Sequence, residues 1–128
     1  MILNSDSMKP IYIQIAEWLE TEIISENINP HQKIYSQYQL AEMFNINPAT
    51  AAKGLNILAD EKVLYKKRGL GMFVTDEAKE TILSKRKNET LKTLVVDLVK
   101  EADYLNVSEI ELIQMVKDAS SCIKGDGK

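Results

Sequence analysis

Between Gln39 and Val74 the chain reads QLAEMFNINPATAAKGLNILADEKVLYKKRGLGMFV, and this stretch leaves few folds open. Ser36 followed by Gln39 is a capping-box pattern, so a helix is expected from Gln37 to Phe44, with Leu40, Met43 and Phe44 at helical spacing. Asn45-Ile46-Asn47-Pro48 stops it and starts another. Asn47 suits an N-cap and Pro48 the first helical position, where no N–H partner is needed. The second helix is expected from Pro48 to Glu61, with Ala51, Leu55 and Leu58 inward and Ala49, Thr50, Lys53 and Asn56 outward. Two apolar runs suited to strands follow, Val63-Leu64-Tyr65 and Met72-Phe73-Val74. Between them, Lys66-Lys67-Arg68-Gly69-Leu70-Gly71 combines glycines that allow a turn with a run of cations.

Helix, tight turn, helix and cationic ribbon together spell a helix-turn-helix with a wing. Each part alone has a plainer reading: such helices occur as scaffolding, and a basic hairpin edge deters strand pairing. The combination points to duplex DNA. A helix that opens with small polar residues fits a major groove, and a cationic ribbon beside it reaches phosphates or the adjoining minor groove. A winged helix used only for protein–protein contact is the alternative, and the Lys66–Arg68 tip speaks against it.

The formal net charge of −3 is at first sight wrong for a DNA binder. However, residues 43–75 hold five cations (Lys53, Lys62, Lys66, Lys67, Arg68) against two acids (Asp60, Glu61). The acids gather on the first helix, expected from Ile11 to Glu26, as Glu17, Glu20, Glu22 and Glu26. The local field and the counterions released at the contact govern affinity, not the global sum. So modest a local excess implies that two copies bind together. In that first helix Ile15, Leu19 and Ile23, flanked by Tyr12 and Trp18, form the stripe that covers the helix-turn-helix.

Past Thr75 the composition shifts, with neither proline nor glycine from Asp76 to Ser121. A helix from Glu77 to Leu105 places Leu91, Val95, Leu98, Ala102 and Leu105 on a coiled-coil-like seam. Asn106-Val107 breaks it, Ser108 and Glu111 form a second capping box, and a last helix from Glu109 to Ile123 presents Leu112 and Val116. The tail Lys124–Lys128 is expected to fray. Two such helices cannot bury their apolar faces alone. They either fold back on the winged part or pack against a second copy, and the length of the seam favours a homodimer, whose twofold symmetry matches a palindromic operator.

The remaining features narrow the class further. No apolar run nears the ~20 residues that span a bilayer, and Cys122 is alone, which suits a reducing cytoplasm. His31 has neither a second histidine nor a cysteine cluster beside it in sequence, so no metal or other cofactor is expected. No Ser/His/Asp set or phosphate loop is present either, and catalysis is not expected. A small effector near Tyr104 or Met115 has no polar constellation to receive it.

From Pro10 to Val74 the chain resembles the DNA-binding domain of GntR-type bacterial transcription regulators. The resemblance rests on Pro10-Ile11-Tyr12, Gln14-Ile15, Ser36, Leu40-Ala41, Asn47-Pro48, Thr50, Leu58, Tyr65, Arg68-Gly69, Gly71 and Phe73-Val74. Its short helical tail is similar to that of the YtrA-like subgroup, whose second domain is a helix pair used for dimerisation. The chain departs from the family run Leu-Pro-Ser-x-Arg, reading Ile34-Tyr35-Ser36-Gln37-Tyr38, so Tyr38 stands where the family has arginine. Lys62 replaces a family glycine after the second helix of the motif. The expected fold is therefore mainly α with a small β-wing: a winged helix-turn-helix in residues 1–75 and a two-helix dimerisation appendage in 76–128. The expected DNA-contact set is Ser36, Gln37, Tyr38, Asn47, Ala49, Thr50, Lys53, Lys67, Arg68, Gly69 and Gly71. Repression by occupying a promoter is what the resemblance implies.

Overall fold

The computed structural model describes Leu3 and residues 8–126. Its elements are α1 (Ile11–Ile24), α2 (Gln37–Phe44), α3 (Pro48–Asp60), β1 (Leu64–Lys67), β2 (Gly71–Val74), α4 (Ala78–Lys85), a π-helical segment (Arg86–Leu91), α5 (Lys92–Tyr104) and α6 (Glu109–Asp126). They form two compact units, Met1–Lys85 and Arg86–Lys128.

In the first unit the local signals are realised atom by atom. The Ser36 hydroxyl accepts the Gln39 N–H at 3.1 Å and the Gln39 side chain accepts the Ser36 N–H at 2.8 Å, which closes the capping box of α2. At α3 the Asn47 side-chain oxygen accepts the Ala49 N–H at 2.8 Å. Both helices end through a left-handed residue, Asn45 (φ 54°) and Lys62 (φ 64°). After each, an N–H reaches back five residues, Ile46 to the Ala41 carbonyl and Val63 to that of Leu58, covering carbonyls left open at the helix end. Lys62 thus takes the backbone conformation that glycine adopts without steric cost.

α1, α2 and α3 enclose a core of Ile15, Leu19, Ile23, Leu40, Phe44, Ala51, Leu55 and Leu58, joined by Val63, Leu64 and Val74 from the wing. Trp18 packs on this core, its ring edge-on to Phe44 at 5.1 Å and 6.0 Å from Tyr35. Gly54 lets α1 approach α3, for a Cβ there would lie 2.9 Å from the Tyr12 carbonyl oxygen.

The core extends past the boundary expected after Thr75. Ala78 and Ile82 of α4 are fully buried in it, and the first compact unit ends only at Lys85. Lys85 is there for an electrostatic reason. Glu20, 1% exposed on α1, receives the Lys85 ammonium at 2.6 Å, and Glu61 receives it at 3.0 Å. Burial draws the Lys85 pKa down, but the hydrogen bonds its ammonium donates to Glu20 and Glu61 outweigh it, and the net shift is upward from the ordinary lysine value.

The single helix expected from Glu77 to Leu105 is realised as α4, the π segment and α5. In the second unit α5 closes through left-handed Asn106, and the Ser108 hydroxyl accepts the Glu111 N–H at 3.2 Å to start α6. α6 runs through Asp126, so Lys124–Asp126 are helical rather than frayed, while Gly127 and Lys128 lie outside the described residues. Of the expected seam, Ala102 is buried and Leu112 half-buried, whereas Leu91, Val95, Leu98, Leu105 and Val116 are exposed.

Candidate nucleic-acid interface

The wing is a two-stranded antiparallel ribbon in which Leu64 faces Val74 and Lys67 faces Gly71. Its turn closes with the Leu70 N–H on the Lys67 carbonyl at 2.9 Å, and Gly69 (φ 79°) and Gly71 (φ 109°) supply the left-handed backbone it needs. Tyr65 and Phe73 stack at 5.8 Å on one face, and the Lys67 ammonium lies 5.0 Å from the Phe73 ring centre.

β2 also pairs on its outer side with the segment before α2. The Ile34 N–H donates to Met72 O, the Val74 N–H to Gln32 O and the His31 N–H to Val74 O, and Lys33 bridges Phe73. His31 braces the wing base from there. Its Nε2–H donates to Asp76 at 2.8 Å, and its Nδ1 lies 2.9 Å from the Tyr65 hydroxyl. Sequence alone could not place Asp76 beside His31. Among the described residues, no group of three His, Cys, Asp or Glu side chains could hold a metal ion.

This pairing walls a cleft of about 590 Å³ on three sides: residues 33–38 leading into α2, Ala52, Leu55 and Asn56 of α3, and residues 66–72 of the wing. Its lining includes Lys33, Lys66, Lys67 and Arg68 and no carboxylate. In a chain of net charge −3 that is a marked sorting of charge. Elsewhere in the same unit three lysines are neutralised, Lys9 by Glu17, Lys79 by Glu26 and Lys85 by Glu20 and Glu61.

The expected contact residues fall into two groups. Ser36, Gln37, Tyr38, Lys67, Arg68, Gly69 and Gly71 line the cleft, with the Tyr38 ring 70% exposed. Asn47, Ala49, Thr50 and Lys53 sit outside it on the N-terminal half of α3. Of these Ala49 and Lys53 are exposed and Thr50 half-buried, while the Asn47 oxygen is engaged as the helix cap. Lys53 is held over the Tyr12 ring at 4.2 Å, which fixes its otherwise mobile ammonium. Lys33, Asn56 and Leu70 also line the cleft and were not in the expected set. Asn56 was legible as an outward residue of α3, and Leu70 as a member of the turn. Lys33 carries no local signal, because only its pairing with β2 brings it to the wing.

Comparison with known proteins agrees with this geometry. Residues 11–74 match the family described as "Bacterial regulatory proteins, gntR family". The chain is 30% identical to the HTH-type transcriptional repressor YtrA of Bacillus subtilis, over 98% of this chain and 96% of that protein. A GntR family transcriptional regulator from Listeria monocytogenes superposes with a TM-score of 0.73 at 29% identity, covering 88% of this chain and 97% of that one. AraR(DBD), solved in complex with operator ORX1, superposes with a TM-score of 0.54 at 30% identity, covering 59% of this chain and 95% of that one.

Proposed function

The chain belongs to the GntR family of bacterial regulatory proteins, and from that premise we propose that it is a transcription repressor that grips a palindromic operator as a homodimer. The observation that carries this reading is the acid-free cationic cleft beside the exposed start of α3. A surface that repels its own charges at neutral pH is stabilised by a polyanion, and a duplex supplies one. α3 enters the major groove, where Ala49, Thr50 and Lys53 read or flank bases. Asn47 acts indirectly by fixing the first turn of that helix. Ser36, Gln37 and Tyr38 receive the phosphate backbone at the start of α2, and Lys67, Arg68, Gly69 and Gly71 make the wing contact.

Homodimerisation through the second unit is supported by what the protomer leaves uncovered. Leu91, Leu94, Val95, Leu98, Val99 and Leu105 are each 43–59% exposed, as are Ile113, Met115 and Val116 of α6 at 45–53%. Apolar area of this kind marks an association surface, and a second copy offers the same surface in twofold symmetry. A bound dimer occludes the promoter from polymerase, which is repression without any enzymatic step. The region 86–128 is then the dimerisation part, with residues up to Lys85 forming the reading head. Use of the winged helix for protein contact alone is disfavoured, since a protein-docking face has no need of four cations without a carboxylate. No helix of the described residues is long and apolar enough to cross a membrane.

The test is fluorescence anisotropy with duplex DNA from immediately upstream of the protein's own gene, in parallel with sedimentation of the protein alone. The reading expects salt-sensitive binding that a scrambled duplex does not match, and a dimer at micromolar concentration. A protein that stays monomeric, or that treats both duplexes alike at low salt, contradicts it.

A further inference from the structure

We infer that Lys33, outside both the helix-turn-helix and the wing hairpin in sequence, is a DNA-phosphate contact of the reading head. The inference rests on the DNA-binding function proposed above and adds a residue that the motif does not contain. Its backbone is pinned to β2 by the Phe73 bridge and by the bond from the Ile34 N–H to the Met72 carbonyl at 2.9 Å. Its alkyl chain crosses the bare face of Gly71, so that a Cβ at that glycine would meet Lys33 Cε at 2.9 Å and Nζ at 3.7 Å. The glycine therefore has a second use besides its turn geometry, as the floor on which the lysine lies.

The ammonium is thereby delivered into the cleft that Lys66, Lys67 and Arg68 also line, and Tyr38 adds no charge there. Among the described residues Lys33 forms no ion pair, whereas Lys9, Lys79 and Lys85 all do. A cation without an ion pair, in a cleft lined by three others and by no carboxylate, raises the potential that a phosphate meets there. A mobile lysine at an arbitrary surface position would have neither the pinned backbone nor the glycine floor. Because an ammonium offers a point charge and no planar fork, the contact is to backbone phosphate and carries affinity rather than sequence preference.

The experiment measures binding of the upstream duplex by wild type, Lys33→Met, Lys33→Arg and, as control, Lys79→Met, across a salt series. Losing one phosphate contact lowers the log–log salt slope by about 0.9 per bound protomer, so the affinity gap between wild type and Lys33→Met narrows roughly 3.5-fold per protomer between about 50 and about 200 mM salt. Lys33→Arg and Lys79→Met keep the wild-type slope, and discrimination against a scrambled duplex is unchanged in Lys33→Met. A wild-type slope in Lys33→Met overturns the inference while leaving DNA binding intact. A reduced slope in Lys33→Arg overturns it too, since lost charge would not be the cause. Salt-insensitive binding by the wild type removes the functional reading itself.

Discussion

Gly54→Ala sets two physical effects of opposite sign against each other inside the reading helix. Helix propensity alone favours alanine by about 1 kcal/mol at an interior position. The contact geometry says otherwise. The new Cβ would lie 2.9 Å from the Tyr12 carbonyl oxygen and 3.3 Å from both Cβ and Cγ2 of Ile15. The carbonyl belongs to the backbone of α1 and cannot rotate aside, and Ile15 is fully buried, so α1 must move off α3 to restore an ordinary 3.4 Å. Overpacking of this sort costs about 1–3 kcal/mol, and a shift that also loosens Leu19 and Leu55 lies toward the upper part of that range. The net expectation is a loss of about 1–2 kcal/mol, or roughly 5–10 °C in Tm for a unit of this size. Lys53 leaves its seat over Tyr12 at the same time, so affinity for the operator falls as well. Thermal melting followed by circular dichroism reads the first effect and anisotropy the second. Gly125→Ala is the control, because a Cβ there meets nothing within 4 Å. If Gly54→Ala melts at or above the wild-type temperature, the close approach of α1 and α3 is not as described and the reasoning fails.

Other outcomes follow from the same structure. Lys85→Met removes one ammonium from the buried Glu20 and is expected to lower stability by about 2–3 kcal/mol, below the ~3–5 of a fully buried pair because Lys85 is partly solvated. Since the folded-state pKa of Lys85 lies above its ordinary 10.5, this contribution is whole below pH 10.5 and disappears as pH rises through the folded value; denaturant melts at pH 7, 9 and 11 check it, with the gap between wild type and variant constant over the first two and smaller at the third. Lys62→Gly relieves a left-handed backbone at the end of α3 and raises stability by about 1 kcal/mol, seen as a higher denaturation midpoint with unchanged slope. Arg68→Ala weakens DNA binding generally and flattens its salt slope, whereas Thr50→Ala relaxes preference at one base pair by ~1–3 kcal/mol; a panel of single-base operator variants separates the two.

The elements that sequence revealed are those whose determinants are local. Ser36 with Gln39, Asn47 with Pro48, and the two apolar runs on either side of a cationic, glycine-bearing turn specify caps, turn and strands within a few positions of themselves. What sequence hid depends on residues far apart. Glu20 reads as one more acid on a solvated helix face until Lys85, sixty-five residues later, is brought against it. For the same reason the packing of the first compact unit runs on to Lys85: Ala78 and Ile82 show their burial only when the groove that receives them is known. Lys33 belongs to the cleft through strand pairing across forty residues, and a charge count restricted to the motif omits it. Gly54 could have been noticed, since a glycine in mid-helix is costly unless another backbone needs the space.

Hydroxyl-radical footprinting on the upstream region bears most directly on whether two linked reading heads engage one duplex. The account predicts two equal protected patches related by a dyad, their centres one helical turn of ~34–36 Å or a multiple of it apart. A single asymmetric patch, or no protection at concentrations where the protein is folded, would contradict it.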